Sequence, residues 1–344
     1  MQNEITKPLT LLNEKGHITN PGWARQLYWK YDRSQIKAPK WRIKEWDYYL
    51  IANASYGVAF TISDLGYIGM VSVSFLNFEE GWENTETILT ALPLGKFHLP
   101  PHSDNGNAQF QNKRLMLKYE TSPGKRRILF SFREFYQGKD FDGEITLDQP
   151  PMDTMCIATP WAKKPTAFYY NQKINCLPAD GHVTLGADTY RFSKDRDFGV
   201  LDWGRGVWTY DNTWYWGTGS GLVDGIPFGL NLGYGFSDRS AASENVIFYN
   251  NKAHKLTDVD FGIPKGADGN YKFMKQWRIT SSDNRLTGTL SPVLNRQANI
   301  NALLIATYQN QIFGYFNGTA VLDDGTPLDV KNFFCGIEVV HIRY

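Results

Sequence analysis

Apolar residues along this chain recur mainly at every second position, in short runs broken by turn-forming residues. YIGMVSVSFLNF (67–78), RLMLKYE (114–120), RRILFSFREFY (126–136), FGLNLGYGF (228–236), NVIFYN (245–250), FMKQWRIT (273–280) and QIFGYFNGTAV (311–321) are rich in β-branched and aromatic side chains, and each predicts a strand. Between such runs stand TSPGK, FDGE, ADGH, LVDGIP, GADGN and LDDGT, each with glycine beside Asp or Pro, and each predicts a chain reversal. Helical spacing is scarce. Its best instance, WARQLYWKY (23–31), is short and reads as one helix or as an irregular arm.

Many short strands joined by tight reversals imply antiparallel sheets that close or fold over to hide their edges, rather than alternating βα units. The expected class is therefore all-β. LDQPPMDTMCIATPWAKKP (147–165) is the most proline-rich stretch and lies near the midpoint. It divides the chain into residues 1–155 and 156–344, each about the size of one lipocalin barrel. No residue-by-residue repeat links the halves.

Composition sharpens this picture in three ways. A hydrophobic fraction of 42% with 15% aromatic residues supplies enough apolar area to fill a core, so the chain is globular. Lys and Arg total 36 against 35 Asp and Glu, which lacks the basic excess that a phosphate backbone demands, so nucleic acid is not an expected partner. Cys156, Cys176 and Cys335 are too few and too scattered for a disulfide framework or a Cys-x-x-Cys metal knuckle. The N-terminus lacks a basic segment leading into an apolar run, and no 18 consecutive residues are apolar; a cytoplasmic chain without an integral membrane segment is expected. On that view the sequons NAS at 53 and NGT at 317 are ordinary sequence.

Candidate chemistry concentrates in DFGVLDWGRGVWTYDNTWYWGTGSG (197–221), where four tryptophans and two tyrosines alternate with glycines and charges. One account has the aromatics filling a core while Asp202 and Arg205 form a structural ion pair across a turn. In the other, Trp214 and Trp216 point to one face of a strand, because side chains repeat every two residues, and that face lines a cavity to which Trp203, Trp208 and Tyr210 add walls. Indole and phenol rings bury large area and attract positive charge, so such a cavity suits a flat or polyene-like apolar ligand. A carboxylic acid desolvated inside it would serve as a general acid, whereas a neighbouring Arg would keep it ionised. Asp197 and Asp211 have no cation at a fixed spacing.

Other motifs carry less. GTGSG (217–221) lacks the lysine and following helix of a phosphate loop, and Ser220 is not in a Gly-x-Ser-x-Gly elbow. His98 and His102 in HLPPH are four apart, but the prolines between them exclude the helix that would align them on a metal. His182 and His254 stand beside turn residues.

KEWDYYLI (44–51), ISDLGYIG (62–69), LDWGRGVWTYDNTWYWGTGSG (201–221), ENVIFYNNKAHKL (244–256) and GYFNGTAVLDDGTPLDV (314–330) resemble the bacterial and fungal family known as domain of unknown function 2804, from about residue 10 to the C-terminus. More remotely the chain is similar to a calycin-related group of two-barrel proteins that includes carotenoid hydratases, tocopherol cyclases and lipocalin-like pericyclases. That resemblance implies a fold of two calycin- or lipocalin-like antiparallel barrels or half-barrels packed together. It also implies action on isoprenoid- or polyketide-like molecules without a redox cofactor, by acids and aromatic walls around a carbocationic or cyclising transition state.

The expected function is binding of an apolar small molecule in an aromatic cavity, with hydration, cyclisation or isomerisation and neither cofactor nor metal. Trp203, Trp208, Tyr210, Trp214 and Trp216 would form its walls, Asp202 and Arg205 would orient the motif, and Asp211 or Glu244 would donate the proton, with Asp202 a further acid. Two other functions fit the same residues: a carrier without chemistry, and a carbohydrate-acting β protein that grips sugar rings with Trp beside Asp.

Overall fold

Strand Ile43–Ala52 shows how the chain builds its sheets. Glu45, Asp47, Tyr49 and Ile51 point to one side and Lys44, Trp46, Tyr48 and Leu50 to the other, and nearly all are buried. A strand covered on both faces needs no exposed polar stripe, so apolar residues occur at consecutive as well as alternate positions. The computed structural model describes residues 2–302 and 305–343.

Two large antiparallel sheets, each curled into a half-barrel, dominate the described residues, beside a small two-stranded parallel sheet of Leu9–Thr10 and Trp29–Lys30. The spine of the first runs, neighbour to neighbour, through Trp82–Ala91, Ile68–Asn77, Tyr56–Asp64, Ile43–Ala52, Phe198–Val207, Lys164–Leu185, Lys139–Asp148, Lys125–Tyr136, Leu115–Ser122 and Gly106–Gln111. The second runs through Lys252–Lys255, Val246–Tyr249, Ile226–Tyr234, Asp211–Val223, Pro327–Arg343, Ile305–Val321, Leu286–Ala302, Trp277–Ser281 and Val259–Asp260. Each has its own core. Phe60, Phe130 and Phe141 meet edge-on or tilted in the first, with successive centroids 4.9 and 4.8 Å apart, and each such burial contributes about 1.5–3 kcal/mol. Phe228, Trp277, Leu290 and Phe316 fill the second, and a smaller cluster around Tyr48, Leu50, Trp216 and Phe313 joins the two.

The fold is all-β, as the alternating pattern requires, and most predicted strands lie within two residues of their observed ends. Three local readings change. Residues 23–31 form no helix: Gly22–Ala24 pairs with Met155–Trp161, and Trp29–Lys30 pairs with Leu9–Thr10, which buries Trp23 and Trp29. FDGE and ADGH are not reversals but neighbouring strand segments. Gly143 sits mid-strand because a β-carbon there would lie 2.7 Å from the His182 carbonyl oxygen, while Gly181 takes φ +137° within the partner strand. The proline-rich stretch at 147–165 does not lead out of the first sheet. Met155–Trp161, Lys164–Leu185 and Phe198–Val207 all belong to that sheet, and the chain enters the second only between Val207 and Asp211. The cause is the 22-residue strand Lys164–Leu185, long enough to pair with four others along its length.

Among the described residues no helix is long and apolar enough to cross a membrane. Cys156, Cys176 and Cys335 are buried thiols. No group of three or more His, Cys, Asp or Glu is clustered as a metal site among the described residues.

Candidate active site

Where the two sheets face one another they leave a cavity of about 280 Å³. Its aromatic wall follows from the glycines of the D-W-G-R-G segment. Gly204 faces the second sheet, and a β-carbon there would lie 2.0 Å from the Trp46 ring, so only glycine lets that indole lie against the strand. Trp208 meets Trp46 edge-on at 5.9 Å and Trp214 edge-on at 5.3 Å, and stacks on Phe236 at 5.2 Å. Trp214 and Trp216 share the cavity face, whereas Tyr215 between them turns away to stack on Tyr234.

Beside this wall lies a charged cluster. Lys173 and Asp202 are direct cross-strand partners, and Lys173 Nζ is 2.8 Å from Asp202 Oδ1 and 3.8 Å from Glu244 Oε2. The ammonium also stands 4.3 Å from the Trp216 ring centroid, and Asn171 donates to Asp202 Oδ1 at 2.6 Å. Glu244 comes from the segment after Tyr234, which Asn245 fixes by accepting from the Gly233 N–H at 2.7 Å and donating to the Thr257 carbonyl at 2.8 Å. Asn231 completes the support: it accepts from the Trp216 indole at 2.8 Å and donates to the Glu244 carbonyl at 2.8 Å. Burial pushes the Glu244 carboxyl above its ordinary range; Lys173 opposes that shift and Asp202 adds to it. The Tyr169 phenol, buried against Glu244, is held protonated well above its usual value.

A third acid, Glu338, faces the same cavity. Trp214 Nε1 donates to its Oε1 at 2.8 Å and Gln309 Nε2 to its Oε2 at 2.7 Å, and burial again raises the carboxyl against the opposing Trp214 hydrogen bond and the Arg296 charge. Lys44, on the Trp46 strand, donates to the Leu65 carbonyl at 2.5 Å; desolvation lowers its ammonium to about 7. Neither residue belongs to the tryptophan-rich motif, although both carry a signal in the sequence. Each is the lone charge on a strand face that otherwise places only small, apolar or aromatic groups against the partner sheet, at 44, 46, 48, 50 and at 336, 338, 340, 342. Lys173, isolated within a long buried run, carries the same signal.

Asp202, Glu244, Trp208, Trp214 and Trp216 therefore meet at one cavity, and four other candidate residues do not. Trp203 points into the first half-barrel, where it packs edge-on against Tyr170 at 5.4 Å and Tyr31 at 6.4 Å. Arg205 is buried on that same side and pairs with Asp47 at 2.9 Å, not with Asp202. Three positions along a strand lead to opposite faces, so Asp202 and Arg205 cannot meet. Tyr210 is 46% exposed in the link between the sheets. Asp211 is also exposed, 3.7 Å from His341, and lines an open surface groove that Phe236 borders from its other side. Asp197 is wholly buried and accepts from the Ser193 N–H, a loop anchor remote from the cavity lining.

The model of the family described as Domain of unknown function (DUF2804) matches residues 2–344. The chain belongs to that family. No curated protein matches this DUF2804 member in sequence. Among solved structures its fold is similar to that of CghA, crystallised with Sch210972, at 10% identity and a TM-score of 0.50 over 87% of each chain. It is equally similar to kievitone hydratase from Nectria haematococca, at 13% identity and a TM-score of 0.50 over 88% of each chain. These likenesses are of fold: the DUF2804 chain shares their calycin-like pair of half-barrels.

Proposed function

We propose that this protein binds an apolar small molecule in the cavity between its sheets and acts on it by proton transfer, adding water, closing a ring or moving a double bond. Glu244 is the proton donor. The observation that carries this reading is the arrangement of charge at the cluster: Asp202 and Glu244 share the ammonium of Lys173, which lies closer to Asp202, while the buried Lys255, whose charge Glu244 also feels, donates to the Ser243 carbonyl. Of this pair Glu244 lies farther from the Lys173 ammonium, and burial raises its carboxyl above the ordinary range, which favours the protonated form a general acid needs.

In this scheme the Glu244 proton passes to a carbon of a ligand double bond. Positive charge then develops on the adjacent carbon, opposite the faces of Trp46 and Trp208, where indole rings stabilise it. Water attacking that carbon gives hydration, an internal nucleophile gives a ring, and loss of a neighbouring proton gives an isomer. In each case the proton released returns to the Glu244 carboxylate, so the side chain ends as it began. Lys173 already occupies the face of Trp216 and pairs with Asp202 beside it. The names of the two structural neighbours, one a hydratase and one crystallised with a small molecule, support a ligand in this fold.

Organic extraction of protein purified from its own cells, followed by mass spectrometry, identifies the bound molecule. Incubating that molecule with the protein and with Glu244→Gln should show turnover falling about 10²–10⁴-fold in the variant while affinity is nearly kept. Undiminished turnover in the variant contradicts the role of Glu244, and tight binding without turnover in either protein leaves a carrier.

A further inference from the structure

Farther out along the first sheet the cavity lining becomes polar, and its charge is arranged differently. Thr61, Ser72 and Thr87 are register partners on three adjacent strands, so they form one row across the first sheet that faces the cavity. The row runs outward, from half-buried Thr61 to exposed Thr87 on the sheet's last strand. Beside it, in the next register row, Ser74 faces Thr85 and accepts a hydrogen bond from Arg296 Nη1 at 3.1 Å. Arg296 comes from the second sheet and reaches this point next to exposed Gln297 and Ala298, at the outer end of the cavity.

Arg296 differs from the other cations of the cavity. Lys173 is paired with Asp202, and Lys44 is seated on a carbonyl. Among the described residues no carboxylate lies within ion-pairing distance of Arg296. Glu338, which feels its charge, is already held by Trp214 and Gln309. A guanidinium offers five donors in a planar fork suited to a carboxylate, and one serine uses only one of them. The cavity thus has an aromatic, acid-bearing inner end and a hydroxyl-lined outer end with an unmatched guanidinium.

We infer that the ligand is an amphiphilic carboxylic acid, bound with its carboxylate on Arg296 at the cavity mouth and its apolar body directed inward along the Thr61–Ser72–Thr87 row to the indoles. This rests on the proposed cavity function and adds an orientation: the carbon that Glu244 protonates lies far from the acid group.

Calorimetric titration with 2-naphthylacetate and with its methyl ester, at fixed salt, tests this without the natural ligand. The acid should bind about tenfold more tightly than the ester, as a charge-assisted pair provides. Arg296→Gln should bring the acid to the affinity of the ester and leave the ester unchanged, with Arg296→Lys between. Equal affinities for acid and ester in the unmodified protein, or an equal loss of both in Arg296→Gln, overturn the inference while leaving the apolar cavity intact. Failure of both probes to bind removes the cavity reading itself, and the inference with it.

Discussion

The carboxyl group of Glu244 lies where a side chain on residue 233 would begin: a β-carbon built on Gly233 would be 2.3 Å from Oε1. Gly233 is thus the space that admits the acid. Because the displaced group is the end of a flexible side chain, Gly233→Ala should fold, with a melting temperature within about 4 °C of the unmodified protein. It should lose turnover nearly as fully as Glu244→Gln. Full activity in a well-folded Gly233→Ala protein would show that the position of the acid is unimportant.

Gly204 makes the opposite case, since the group it accommodates is the rigid Trp46 ring 2.0 Å from the would-be β-carbon. Gly204→Ala forces the indole or the strand to move, at a cost of about 1–3 kcal/mol. Denaturant unfolding should show the larger loss at 204 and the smaller at 233.

Arg205 should prove structural. It is fully buried, pairs with Asp47, and donates to the carbonyls of Trp46, Gly204 and Pro100. Arg205→Met leaves Asp47 without its cation, a loss of about 3–5 kcal/mol in unfolding experiments. Asp211→Asn, at the surface, should change neither stability nor ligand affinity measurably.

Lys44 gives the protein a pH dependence of known sign. Its ammonium is depressed to about 7 in the folded chain from an ordinary value of 10.5, chiefly by desolvation, so between these values the unfolded chain binds more protons. Stability from this group is lowest below pH 7 and rises toward pH 10.5, by on the order of 1 kcal/mol per pH unit. In Lys44→Met that contribution to the slope should vanish over the same interval. Parallel stability profiles for the two proteins would place the ammonium in a well-solvated setting.

The class of fold was legible because the pattern of two is strong in strands such as Ile68–Asn77 and Lys125–Tyr136. It failed locally where tertiary pairing decided the outcome: WARQLYWKY lies as two short strands because neighbours at 9–10 and 155–161 supply the hydrogen bonds. The site was half legible. Trp214 and Trp216 follow from alternation alone, while the supposed pairing of Asp202 with Arg205 ignored it. Glu338 and Lys173 are not legible as site residues because each lies outside the tryptophan-rich stretch, and only the register of Trp216 with Glu338 and of Asp202 with Lys173 brings them to it.

An apolar molecule bound between the two sheets would be excluded by a bulky side chain placed there. Ser72 stands in the middle of the polar row, and Ser72→Trp should fill that space without touching the indoles or the acids. Titration of both proteins with methyl 2-naphthylacetate should reveal one site in the unmodified protein and none in Ser72→Trp, with matching melting temperatures. Unchanged binding in a folded Ser72→Trp protein would contradict the account.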